Sequence, residues 1–212
     1  MMTRIPFSTR ARATALAGAL LLPWPVHAVD LVQALQLTLG RSTAAMTWRH
    51  PDGASQDWED RGTTLGGGAT LYTALSDRLT VGGRAGFRHA DTAIADKQAG
   101  YHMAARFPAT GHVTALARWT PPHPFEVEGL LGYSGTVMEL ETATPSGTTT
   151  LSSTTVTGPY YGLVLRVAVD ARWDVQLESY RIPLERLSWS DGQTLETDLT
   201  GVELGVVYRL PL

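Results

Sequence analysis

The chain has 212 residues, 43% of them hydrophobic, with 17 basic against 20 acidic residues, a net charge of −3 and no cysteine. That charge balance excludes a nucleic-acid binder working by electrostatics. Without cysteine, an exported domain must hold together without disulfides.

Residues 1–28 read as a secretory signal peptide. Arg4, Arg10 and Arg12 give a positive start, and Ala13 to Leu22 is mostly apolar but too short to cross a bilayer. Val26-His27-Ala28 then supplies a small-residue cleavage site. The domain left at 29–212 has 14 basic against 20 acidic residues, since three of the 17 basic residues belong to the leader. Its single lysine is Lys97. No later stretch has the run of about 20 apolar residues that a membrane helix needs.

Eight segments of the domain alternate with a period of two, the signature of strands with one apolar face. The first spans about 33–48, with Leu35, Leu37 and Leu39 opposite Gln36, Thr38 and Gly40. The second, about 63–76, sets Ala69, Leu71, Thr73 and Leu75 against Gly68, Thr70, Tyr72 and Ala74. The third, about 79–89, sets Leu79, Val81, Ala85 and Phe87 against Thr80, Arg84 and Arg88. The fourth starts between 100 and 112 and ends near Thr120, with Val113, Ala115 and Trp119 opposite Thr114, Leu116 and Arg118. Pro108 requires a bulge or a strand end there. The fifth, about 125–141, sets Phe125, Val127 and Leu131 against Glu126, Glu128 and Leu130. The sixth, about 156–170, sets Tyr161, Leu163 and Leu165 against Tyr160, Val164 and Arg166. The seventh, about 173–188, opens with Trp173, Val175 and Leu177 opposite Asp174, Gln176 and Glu178. The eighth, 201–212, places Val202, Leu204, Val206 and Tyr208 opposite Gly201, Glu203, Gly205 and Arg209.

Connections near 76–78, 120–124 and 170–173 are short, and those near 49–62, 90–101, 142–155 and 189–195 are longer and polar. Short turns on one rim and long loops on the other belong to outer-membrane barrels. The expected fold is therefore all-β: an eight-stranded antiparallel up-and-down transmembrane barrel, with Thr142–Thr157 as a flexible outer loop or, in part, strand extending above the membrane. A soluble barrel with an apolar ligand cavity would show the same alternation. What favours the membrane is the second face, which combines glycine and alanine with Arg84, Arg88, Arg118, Glu126, Glu128, Arg166, Glu178, Glu203 and Arg209. An eight-stranded lumen is just wide enough to be filled by side chains, and buried charges must pair. An Arg–Glu network is expected there, as a polar plug that fixes register or as a gate or ion path. Trp119, Phe125, Trp173 and Tyr208 are expected at the inner membrane interface, and Trp48 and Trp189 at the outer one, with Trp58 as a further candidate.

With its leader, its eight alternating segments and its Gly205-Val-Val-Tyr-Arg-Leu end, the chain resembles the small outer-membrane barrels of the OmpA transmembrane-domain and OmpX/Ail kind. In those families the last strand usually ends in an aromatic residue, whereas here it ends Leu210-Pro211-Leu212. The resemblance implies a monomeric barrel in the bacterial outer membrane, inserted by the barrel-assembly machinery and contacting outer-membrane lipid. Tyr208-Arg-Leu-Pro-Leu212 also resembles the end of lipid A 3-O-deacylase barrels, which carry a His-x-Ser pair and a Glu on their last two strands. Leu177-Glu-Ser-Tyr-Arg-Ile182 has Ser179 without a histidine, and Glu203 falls on the other face, so no catalytic residue carries over. His50, His89, His102 and His112, with Asp91 and Asp96, are expected on polar outer loops, and their spacing matches no ligand motif. Gly66-Gly67-Gly68 lacks the Lys and helix of a phosphate loop and is expected to leave room in the lumen or mark a bend. No cofactor, metal site or nucleic-acid partner is expected. The expected function is structural or surface-interaction through extracellular loops, without enzymatic activity; a narrow pore and a lipid A-modifying enzyme are the alternatives.

Overall fold

A chain without long apolar runs crosses a membrane only if its backbone hydrogen bonds close on themselves, and this one does so with strands. The computed structural model describes residues 31–98, 101–122, 124–143, 149–190 and 192–210, the side chains of 96–98, 101–103, 142–143 and 149–150 lying outside the description. The expected signal peptide and the Pro211-Leu212 end also lie outside it. The strands are β1 (Val32–Arg49), β2 (Ser55–Ser76), β3 (Leu79–Ala90), β4 (Ala93–Gln98), β5 (Tyr101–Trp119), β6 (Phe125–Ala143), β7 (Thr149–Ala168), β8 (Trp173–Pro183), β9 (Leu187–Ser188) and β10 (Thr194–Arg209).

Eight of them form an antiparallel ring in the order β1-β2-β3-β5-β6-β7-β8-β10, closed by pairing of β1 with β10. The seam runs unbroken from Ala34↔Arg209 to Arg49↔Thr194. β4 and β9 continue the third and seventh walls above a break, β4 on β5 and β9 on β10. The break beside β5 coincides with a register shift against β6 between Arg106 and Ala109, which is where Pro108 sits. That shift accommodates a residue with no ladder donor.

The expected segments are all strands, but the strands are longer than expected and the loops shorter. β2 starts at Ser55, well inside 49–62, and β4 fills part of 90–101. β6 runs to Ala143 and β7 starts at Thr149, so most of Thr142–Thr157 is strand and not loop, the second of the two forms expected for it; 144–148 lie outside the described residues. The last strand starts at Thr194, well before Gly201. β2 has 22 residues, where a membrane-spanning strand needs about 9–11. The wall therefore rises well beyond one bilayer on the long-loop side.

The two halves of the wall have opposite polarity. In the lower half the outward side chains are apolar and bare: Leu37 is 57% exposed, Val113 60%, Leu163 53% and Leu204 60%. So broad an apolar surface is foreign to a soluble monomer, and it fixes lipid on the outside. The inward side chains there are charged. In the upper half Phe107, Met46, Met138, Ile182, Leu195 and Leu199 are buried inside. Carboxylates and guanidiniums stand outside, pairing as Arg49–Glu196 at 3.5 Å, Arg186–Glu196, and Arg181–Asp198 at 2.5 Å. The upper half is built like a small soluble domain standing on a membrane barrel.

Candidate functional site

The charged lumen is assembled by parity. Arg84 and Arg88 lie on β3, Arg118 on β5, Glu126 and Glu128 on β6, Arg166 on β7, Glu178 on β8, and Glu203 and Arg209 on β10, each an inward position of its strand. Glu178 is one centre. It accepts hydrogen bonds from Arg84 Nη1 at 2.7 Å, Arg88 Nη2 at 2.6 Å and Tyr160 Oη at 2.5 Å. Glu128 is the other. It accepts from Arg84 Nη2 at 2.5 Å, Arg118 Nε at 3.0 Å and Arg166 Nη2 at 3.3 Å. Arg84 thus bridges two carboxylates from different walls. Glu203 takes Arg88 Nε at 2.8 Å and the Thr38 hydroxyl at 2.7 Å. Arg84, Glu128, Arg166, Glu178 and Glu203 are all fully buried.

Two predicted members sit at the edge of this network. Glu126 is partly exposed and reaches Arg118 Nη1 at 3.4 Å. Arg209, also partly exposed, pairs with Asp174, donating through Nη2 at 2.6 Å and Nε at 3.1 Å. Asp174 and Gln176 were absent from the expected set, although their period-two spacing before Glu178 places them on the same face. Asp174 also faces Arg166 at 3.7 Å, and Gln176 accepts from Arg166 at 3.3 Å. Aromatic rings were missed too. The Arg88 guanidinium lies 4.2 Å above the Tyr180 ring and 5.2 Å from that of Tyr160, and Arg118 lies 4.4 Å from the Tyr72 ring. Such stacking suits arginine, whose planar charge is weakly hydrated.

His112 corrects an expectation. It is not on an outer loop but inside the lumen, buried, stacked 4.8 Å from Tyr160 and 3.2 Å from Arg88. Its even position on β5 shares a face with Thr114 and Arg118. His89 is exposed on β3, His50 lies 6.4 Å from Trp48, and the side chains of His102 and Asp96 lie outside the description. Among the described residues no three His, Asp or Glu side chains gather as metal ligands would. Gly66 and Gly68 leave room for Thr38 and Gln36, since an added Cβ would come within 2.6 Å of Thr38 Oγ1 and 3.2 Å of Gln36 Nε2.

The aromatic expectations divide by rim. Trp119, Phe125 and Trp173 are exposed at the short-turn end, where Tyr208 packs 4.8 Å from Trp173. Trp48 and Trp189 stand at the outer end but do not face lipid. They stack at 4.9 Å and, with Trp58, pack against the buried apolar cluster. Trp48 shares the inward face of Ala44 and Met46, so it covers the top of the barrel from within. As for catalysis, Ser179 and Glu203 lie on opposite faces of the wall: Ser179 pairs across the strands with Val202, and Glu203 with Glu178.

No family model matches the chain, and no curated protein matches it. Solved structures do. The outer membrane protease OmpT from Escherichia coli covers 84% of this chain and 97% of its own, at 10% identity and a TM-score of 0.50. The fold is that of a bacterial outer-membrane β-barrel. OprG, an outer membrane protein from Pseudomonas aeruginosa, matches over 84% of this chain and 96% of its own at 12% identity and a TM-score of 0.46. Ail, the attachment invasion locus protein of Yersinia pestis, matches over 84% and 99% at 16% identity and a TM-score of 0.42. These likenesses are of fold, not of activity.

Proposed function

We propose that this is a monomeric outer-membrane barrel protein whose lumen is closed by its own Arg–Glu network and which works through the surface it raises on the outer side. The observation that carries the closed lumen is the bridge at mid-height. Arg84, Glu128, Glu178 and Glu203 come from four different strands, are at most 1% exposed, and meet through Arg84 and Arg88. Each of these carboxylates meets a guanidinium, and charges held this way offset their desolvation only while the set stays closed. The surface role draws on the upper wall, which carries ion pairs outside and an apolar core inside, a rigid platform for an outer partner. In this reading the barrel-assembly machinery inserts the chain from the periplasm, and the chain performs no chemistry on a substrate. Lipid A from cells with and without the protein then gives the same mass spectrum.

Conductance across a planar bilayer tests the lumen. The wild type is expected to be silent, and the double variant Arg84→Ala with Glu128→Ala to open a path. Wild-type channel steps that shift in Glu128→Gln would replace the plug with a narrow pore, a reading favoured by the charge lining itself.

A further inference from the structure

We infer that the upper edge of β7, from Leu151 to Thr155, docks an extended, basic segment of an outer partner, which adds to the wall as a strand. The inference rests on the outer-surface reading above and gives that partner its chemistry.

The edge arises where the wall comes apart. β7 pairs with β8 only from Tyr161 down to Ala168, and β8 ends at Pro183. The chain then crosses away from β7. Glu185 N–H donates to the Thr157 carbonyl at 2.7 Å, Leu184 N–H donates to the Thr197 carbonyl at 2.8 Å, and Leu187–Ser188 pair with β10. The Thr157 bond shows which backbone groups of β7 face this side. They alternate along a strand, so the N–H and C=O groups of Leu151, Ser153 and Thr155 point the same way. β6 covers the other side of β7 as far as Thr149. Among the described residues no strand pairs with this side above Thr157, which leaves three donors and three acceptors for a partner. Leu151 lies 16 positions up β7 from Val167, past the about 9–11 residues that span a bilayer, so lipid does not cover it.

Exposed edges are normally blunted by charge. The unpaired edge of β2 is blunted in this way: Asp57, Glu59 and Arg61 stand outward on it, and Asp60 accepts the Ala93 N–H at 3.0 Å. On β7, residues 151–157 hold neither a charge nor a proline, and Leu151 is 70% exposed, barer than any leucine of the lipid face. The charge lies one strand behind. Glu139 and Glu141 stand outward on β6, opposite Ser153 and Leu151. Glu185 is at the foot of the edge, where Tyr133 Oη donates to it at 2.9 Å. None of the three makes an ion pair among the described residues. Arg106 stands opposite Glu139 on β5, and Arg186 is taken by Glu196, so the strip beside the edge is acidic. A strand added to β7 lies two strand spacings from β6, about 10 Å. Lysine or arginine side chains on its outer face reach the carboxylates across the small Ser153 and Thr155. Main-chain bonds then hold the segment, and charge selects a basic one. The same charge rejects a second copy of this chain, because pairing β7 with β7 would bring both sets of carboxylates together.

The test is fluorescence anisotropy of a labelled peptide alternating Lys with Val, titrated with the folded full-length chain in neutral detergent. The peptide is expected to bind. A peptide alternating Glu with Val, and the Lys–Val peptide with every amide N-methylated, should bind at least about tenfold more weakly, the scale of losing charge-assisted or main-chain hydrogen bonds. Ser153→Pro should abolish binding. The Ser153 N–H faces the free side, so proline there costs no bond to β6, and the band that shifts on boiling should persist. Glu139→Gln with Glu141→Gln should weaken binding, and Glu59→Pro, on the edge of β2, should leave it unchanged. Equal binding of the methylated peptide, or binding unaffected by Ser153→Pro, overturns the edge. A dimer of the purified chain that Ser153→Pro dissociates would put a second copy there and overturn the basic partner. Intact cells expressing the wild type or Ser153→Pro separate this inference from the reading beneath it. Binding by the purified barrel with no difference between the two kinds of cell overturns the outer-surface reading and the outer partner with it, whereas no binding by the purified barrel overturns the edge alone.

Discussion

Glu178 is one of the two centres of the lumen, since Arg84, Arg88 and Tyr160 all donate to it. Removing it leaves two buried guanidiniums short of a partner. Glu178→Ala is expected to lower stability by about 3–5 kcal/mol, read as a lower urea midpoint of the folded band. A milder case lies in the turn after β7. There Asp170 accepts the backbone N–H of Arg172 at 2.7 Å and of Trp173 at 2.8 Å, and these bonds hold its carboxyl below the ordinary range. The stabilisation is full above the unfolded value of about 3.9 and fades as pH falls through the depressed folded value. Asp170→Ala should therefore melt below wild type at neutral pH, and the gap should close in acid. The membership of the lumen was legible at this scale, because parity alone puts Arg84, Glu128 and Glu203 on one face. The pairing was not. Which arginine meets which carboxylate depends on distances across the barrel, and these follow from the closed ring.

Among elements, the upper strands explain why the loops were overestimated. Asp57, Trp58 and Glu59 alternate as faithfully as Leu35, Gln36 and Leu37, but with the polarity reversed. Above the membrane the outside is water and the inside a dry core, so the same period carries the opposite sign. A stretch sought for apolar residues facing out then looks like a polar loop. The Trp48–Trp189 stack belongs to that core. A double-mutant cycle to alanine at these positions should return a coupling of about 0.5–1.5 kcal/mol. The seam makes a sharper prediction. A Cβ on Gly40 would come within 2.1 Å of the Val202 carbonyl and 2.6 Å of Glu203 Cα, whereas one on Gly111 would meet nothing within 4 Å. Gly40→Ala should weaken or abolish the folded band, and Gly111→Ala should leave stability within about 0.5 kcal/mol of wild type.

At the level of the whole molecule, the account is an inversion. Lipid outside and charge inside give way, partway up the wall, to water outside and an apolar core inside. The lower half was legible from alternation, since eight walls, their order and their apolar face all follow from it. The height of the wall was not, nor was the His112 environment, because both depend on where the membrane ends along each strand. Cell fractionation with gel analysis before and after boiling tests the central claim most directly. The account predicts recovery in the outer-membrane fraction, with a compact band that changes mobility on heating. Recovery in the soluble periplasm, with no such shift, would contradict it, because the bare leucine face would then have to be covered by something other than lipid.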